Sequence, residues 1–154
     1  MPDGRSDYAR FVPISTRWMD NDVYGHVNNV VYYSFFDTAV NQFLIEEGVL
    51  DIAQGGVIGL VVQSACEYFA PLRFPGLVEA GLRVAATNTS SVHYEIGLFS
   101  PGSERTAARG RFVHVYVDRV ARRPQPLSAE LRSAIASLQR TVRESDRLSA
   151  APVG

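Results

Sequence analysis

Apolar side chains change their period along this chain, and the changes mark out its elements. Phe11, Val12, Ile14 and Trp18 fall within residues 10–19, a pattern that predicts a first strand. A polar loop from Asp20 to Asn29 follows. From Val30 onward, apolar residues recur at Tyr32, Phe35, Phe36, Ala39, Val40, Phe43 and Leu44, the three-then-four spacing of a helix with one buried face. Asp37, Asn41, Glu46 and Glu47 take much of its remaining surface. Asn28 or Asn29 is the expected N-cap, and Gly48 the expected C-terminal stop.

After Gln54-Gly55-Gly56 the period drops to two and β-branched residues take over. Strands are predicted over 57–69, 77–88, 92–100 and 106–118, divided by turn sequences rich in Pro, Gly and Ser. Leu131, Ile135, Leu138 and Val142 predict an amphipathic helix over 128–146. Residues 1–9 and 147–154 read as flexible tails, which leaves one domain over 10–146. The order β-α-β-β-β-β, with one long helix for a whole antiparallel sheet, defines an α+β layout.

Composition narrows the function. The chain has 154 residues and a formal net charge of −1, which argues against a nucleic-acid binder, because phosphate binding needs clustered basic side chains. Cys66 is the single cysteine, so neither an internal disulfide nor a cysteine-based zinc site can form; within a predicted strand it reads as a small buried hydrophobe. His26, His93 and His114 lack metal-ligand spacing. No apolar run reaches the ~18 residues of a membrane span. Residues 1–9 lack the apolar stretch of a secretory signal, so the cytoplasm is the expected compartment. Neither a Gly-x-Ser-x-Gly elbow nor a glycine-rich phosphate loop is present.

The chemistry concentrates in Asp20-Asn21-Asp22-Val23-Tyr24-Gly25-His26-Val27-Asn28-Asn29. Two carboxylates stand beside the N-terminus of a helix, where backbone N–H groups lack partners and the dipole is positive. A carboxylate beside such donors suits attack on a carbonyl whose oxygen gains negative charge. Followed by Val30-Val31-Tyr32, the run resembles the signature Asp-x-Asp-x-x-Gly-His-Val-Asn-Asn-x-x-Tyr of the hotdog-fold acyl-CoA thioesterases, in the 4-hydroxybenzoyl-CoA thioesterase-like family. Tyr68-Phe69-Ala70-Pro71-Leu72 is similar to that family's Tyr-x-x-Pro-Leu segment, and the resemblance spans roughly 10–125.

What the resemblance implies is specific. The fold would be a hotdog, its sheet wrapped around the central helix and joined edge to edge with a second subunit, as a homodimer or homotetramer. Asp22, three residues before Gly25, would be the nucleophile or general base on an acyl thioester. His26 matches a histidine given a catalytic part in plant acyl-carrier-protein thioesterases. Asn29 would offer its backbone N–H to the thioester oxygen, and Gly25 would permit a positive φ or a close approach of the acyl group. Asn28 is a helix cap or a substrate contact, and Asp20 braces the loop or meets Arg17. Gln63 and Ser64 are the candidates contributed by the second subunit. For CoA phosphates the family uses the turn after the third strand and the end of the last; here these hold Ser90 and Ser91, and Arg119, Arg122 and Arg123. Glu67, a charge in an apolar strand, is expected to pair with an arginine. No cofactor is expected, since CoA is part of the substrate, and acyl-carrier protein is the alternative carrier. An enoyl-CoA hydratase would need a histidine five residues after its aspartate, and a non-catalytic acyl-CoA-binding protein would not need Asp22.

Overall fold

The long helix forms where the spacing predicts and its burial is one-sided. In the computed structural model, which describes residues 1–139, α1 runs Val31–Glu46 and buries Tyr32, Phe35, Phe36, Ala39, Val40, Phe43 and Leu44. Its start is tied down by Asn28, whose side-chain Oδ1 accepts from the Val30 N–H at 3.1 Å and whose carbonyl accepts from the Val31 N–H at 2.9 Å. The residue at the helix boundary is Val30, so the expected cap acts from two positions upstream. The helix ends at Gly48, whose φ of 70° lets its N–H turn back to the Ile45 carbonyl.

Five strands form one antiparallel sheet: β1 (Arg10–Ser15), β2 (Val57–Tyr68), β3 (Leu77–Thr87), β4 (Ser91–Phe99) and β5 (Ala108–Asp118), in the order β1-β3-β4-β5-β2. The first strand is shorter than predicted. Trp18, placed in it by pattern, lies in a 3-10 turn over Trp18–Asp20 and is exposed. One face of the sheet, carrying Val12, Val78, Ala80, Leu82, Val92, Ile96 and Leu98, packs on α1. At Gly110 on β5 the packing leaves no room for a side chain: a Cβ there would lie 2.4 Å from the Phe36 ring. A Phe so enclosed contributes ~3–5 kcal/mol relative to Ala.

Residues 1–9 were expected as a tail and instead pack on the other face. Tyr8 is buried over Gly81 and Gly97, where a Cβ would meet its ring at 2.7 and 2.4 Å. Asp3 accepts from the Tyr8 hydroxyl at 2.8 Å and pairs with Arg83 and Arg109, while Arg5 pairs with Glu79. Burial pushes the Asp3 carboxyl up, but the Tyr8 hydroxyl, Arg109 and Arg83 together outweigh it and hold the group below its ordinary range. The C-terminal helix is also shorter than predicted: α2 spans Ala129–Ala136, capped by the Ser128 hydroxyl. Leu138 follows as a fully buried plug, and Gln139 bridges to Val84. The rest of the predicted helix, with Val142, and the expected tail at 147–154 lie outside the described residues. None of the described helices is long and apolar enough to cross a membrane.

Candidate active site

The two carboxylates of the acidic loop have different fates. Asp20 is wholly buried; its side chain accepts from the Arg17 backbone N–H at 2.7 Å and from the Arg17 guanidinium at 3.0 and 3.2 Å. Its carbonyl accepts from the Asn28 N–H at 2.8 Å. Asp20 thus ties the strand side of the loop to the helix side. Asp22 is half-buried and stands at the opening of a turn in which the Gly25 N–H reaches the Asp22 carbonyl at 3.1 Å and the Asp22 N–H reaches the His26 carbonyl at 2.9 Å. Gly25 takes φ 78° there, a conformation in which a Cβ is strained. One carboxylate oxygen of Asp22 accepts from the Tyr24 N–H at 2.8 Å.

The loop is sewn to the segment after β2. The Val27 N–H donates to the Leu72 carbonyl at 2.8 Å, and Asn21 exchanges hydrogen bonds with the Phe74 backbone. Tyr32 accepts from the Leu72 N–H at 3.3 Å and packs edge-on against Tyr68, ring centroids 4.9 Å apart. The Tyr68 hydroxyl donates to the Asn29 carbonyl at 2.8 Å, fixing the peptide that opens α1. Burial, followed by Cys66, pushes the Tyr68 phenol well above its ordinary range. Together these contacts frame an open cleft of about 410 Å³ lined by Asp22, His26, Asn29, Tyr32, Tyr68 and Pro71, among others.

Three of the sequence-derived catalytic candidates, Asp22, His26 and Asn29, therefore share one cleft. The His26 ring and the Asn29 N–H form no hydrogen bond with the described residues. Gly25 shapes the turn without lining the cleft, and Asn28 is spent on the helix start. The remaining candidates are elsewhere. Gln63 and Ser64 are exposed in the middle of β2. Ser90 and Ser91 lie at the β3–β4 hairpin, and the exposed Arg122 and Arg123 follow β5. Both groups sit at the end of the sheet remote from Tyr68, because Tyr68 pairs with Ala108 at the start of β5 while Arg123 folds back on Asp118 at its end. Ten residues of strand separate these ends by ~34 Å. Arg119 is committed to structure, its guanidinium donating to the carbonyls of Ile52 and Ala53. Glu67 pairs with Arg109 at 3.0 Å, as expected, and that guanidinium lowers its carboxyl. Cys66 is half-buried, with its thiol pushed up by burial. Tyr68 was the residue missed in assigning roles; its place in the Tyr-x-x-Pro-Leu segment was the available signal.

Comparison with known proteins gives the family. Residues 16–135 match the thioesterase-like superfamily, and the chain belongs to it. The PA5185 protein of Pseudomonas aeruginosa strain PAO1, known by its crystal structure, is 57% identical; the match covers 93% of this chain and 100% of that one at a TM-score of 0.90. A thioesterase from Thermus thermophilus, crystallised in complex with coenzyme A and Zn, is 26% identical, with 86% and 95% covered and a TM-score of 0.70. A 1,4-dihydroxy-2-naphthoyl-CoA thioesterase from Synechocystis shares 19% identity and the fold, with 83% and 96% covered and a TM-score of 0.75. A comparison with curated proteins finds no match. The protein is a thioester hydrolase of the hotdog fold.

Proposed function

We propose that this hydrolase is an acyl-CoA thioesterase, releasing a free carboxylic acid and CoA, with Asp22 as its reactive carboxylate. The observation that supports this most is the shared cleft: a carboxylate, an imidazole and an unengaged N–H at a helix start converge on one opening. With its carbonyl oxygen toward the Asn29 N–H, a thioester would present its carbon to Asp22. Asp22 either attacks that carbon, so that the C–S bond breaks and water later cleaves the mixed anhydride, or takes a proton from the attacking water. The departing thiolate takes up a proton, for which His26 is the candidate group in the cleft. The Asn29 N–H and the positive end of α1 stabilise the oxyanion in either route.

The working unit in this reading is a dimer. Of the two sheet edges, β1 is short and carries Pro13, which protects an edge. β2 is twelve residues long and exposes Leu60, Val61 and Val62, an edge open to pairing. A two-fold axis across β2 sets the strands antiparallel. It also brings the Val57 end of one copy to the Tyr68 end of the other. Ser90, Ser91, Arg122 and Arg123, too far to serve their own cleft, then rim the partner's and suit the CoA phosphates, with Gln63 and Ser64 at the joint.

The test is a thiol-release screen across short, medium, long and aryl acyl-CoAs, run beside the same acyl groups on acyl-carrier protein, with sedimentation at assay concentration. CoA thioesters cleaved preferentially by a dimer bear the reading out. Cleavage of carrier-protein thioesters alone, or by a monomer, overturns the corresponding half.

A further inference from the structure

The face of the sheet turned away from α1 carries a second cavity, of about 270 Å³. Val92, Tyr94 and Ile96 on β4 point into the core, so His93 and Glu95 between them stand on this outer face. The strand register places the rest of the lining. His93 lies opposite Val113, and Val113 opposite Gln63; in the next row Glu95 lies opposite Arg111, and Arg111 opposite Ala65. His93 and Gln63 thus flank Val113 two strand spacings, ~10 Å, apart, and Arg111 stands ~7 Å along β5 from Val113. Ala65 and Ala85, each with a single side-chain carbon, leave the cavity its depth. Charge pairing on this face is uneven. Asp3 is shared by Arg83 and Arg109, Glu95 accepts from the Arg83 Nε at 2.8 Å, and Glu67 pairs with Arg109 at 3.0 Å. Arg83 and Arg109 therefore take all three carboxylates. Glu67 feels the charge of Arg111, but its hydrogen bond goes to Arg109. Arg111 forms no hydrogen bond or ion pair with the described residues, and neither do the side chains of His93 and Gln63. A guanidinium, an imidazole and an amide border one cavity with their hydrogen-bonding capacity open.

We propose that this cavity binds a small organic acid, with its carboxylate in the fork of the Arg111 guanidinium and its apolar body over Val113, between His93 and Gln63. A carboxylate is the group the face lacks, and it meets a guanidinium through two parallel N–H···O bonds. The volume lies just below the ~300–1,000 Å³ of pockets for drug-sized ligands, which limits the body to one ring or a short chain. The site is apart from the reactive cleft. Gln63 is five residues, ~17 Å, along β2 from Tyr68, and the cavity opens on the face opposite α1. A joint made edge to edge through β2 engages backbone groups and leaves this face uncovered. The inference is independent of the thioesterase reading.

The chain has three histidines, so ¹⁵N-histidine labelling of the full-length protein gives each ring its own signal, and His93→Gln identifies that of His93. Titrations at fixed pH and ionic strength use sodium benzoate, acetate, benzyl alcohol and inorganic phosphate. The His93 signal should move saturably with benzoate, at higher concentration with acetate, and not with benzyl alcohol. Arg111→Gln changes an exposed side chain, so the fold should hold while benzoate binding weakens ~10-fold or more, the share of a hydrogen-bonded charge. Arg111→Lys keeps the charge without the fork and should fall between. No saturable movement with benzoate overturns the site. Movement with benzyl alcohol equal to that with benzoate, or phosphate binding as tightly as benzoate, overturns the choice of a carboxylate. Unchanged benzoate affinity in Arg111→Gln overturns the role of that side chain. Sedimentation of the parent and Arg111→Gln at one concentration tests the other occupant. A parent assembly that dissociates in the variant would mean that a second copy of the chain covers this face, and would overturn the ligand site.

Discussion

Replacing Asp20 by Asn separates the structural carboxylate of the loop from Asp22, the one proposed to react. Asp20 is fully buried and its carboxylate accepts three hydrogen bonds, all from Arg17. Asn keeps one acceptor oxygen but turns an amide donor toward either the Arg17 N–H or its guanidinium, and donor then faces donor. A hydrogen bond to a charged group contributes ~1.5–3 kcal/mol. The guanidinium share belongs at the low end because the Arg17 side chain is 65% exposed and solvent screens it. The net loss is then about 2–3 kcal/mol, which for a chain of this length lowers the melting temperature by ~4–12 °C. Circular dichroism against temperature reads the loss, and thiol release well below the transition reads the activity. Turnover should stay within about an order of magnitude of the parent, because general acid–base groups are worth ~10²–10⁴ and Asp20 is not one of them. An unshifted melt would refute the bracing role, and a well-folded variant that has lost turnover a hundredfold would refute the division of labour.

Three further outcomes follow from the same geometry. Asn29→Pro removes the N–H proposed to hold the oxyanion and should cost ~10²–10³ in turnover, whereas Asn29→Ala, which keeps it, should retain most activity; parent-like turnover in a folded Asn29→Pro excludes this donor. Tyr8→Ala empties the notch over Gly81 and Gly97 and should destabilise the fold by ~3 kcal/mol or more in denaturant titrations, an effect absent if the first residues were a loose tail. His114 supplies a pH signature. Its folded pKa of about 4 lies below the ordinary histidine value, so between these two pH values the unfolded chain binds the extra proton. Stability should therefore fall as pH drops from ~6.5 toward 4, with a histidine share of roughly 3 kcal/mol, and His114→Phe should flatten that part of the profile.

The helix and the four long strands were legible because each is a local pattern. Tyr32 through Leu44 declare a buried face whatever lies against it, and the turn ending at Gly25 needs a left-handed residue. What escaped depended on contacts distant in sequence. Residues 1–9 are polar, yet Tyr8 packs because Gly81 and Gly97, some seventy to ninety positions later, leave room for its ring. The last predicted helix stops at Ala136 because Leu138 is drawn into the core and Gln139 pairs with Val84. Trp18 carries a strand-like side chain but follows a chain already turning to bury Asp20. The division of site residues between the two ends of the sheet was hidden for the same reason: spacing along the chain gives Ser90 and Arg122 no direction relative to Asp22.

The central claim, that Asp22 performs the chemistry, is tested most directly by steady-state hydrolysis with Asp22→Asn on the best acyl-CoA found in the screen. Asn preserves the acceptor for the Tyr24 N–H, so the turn and the melting temperature should be unchanged. The account predicts a loss in kcat of at least ~10²-fold in this folded variant. Turnover equal to the parent would contradict it.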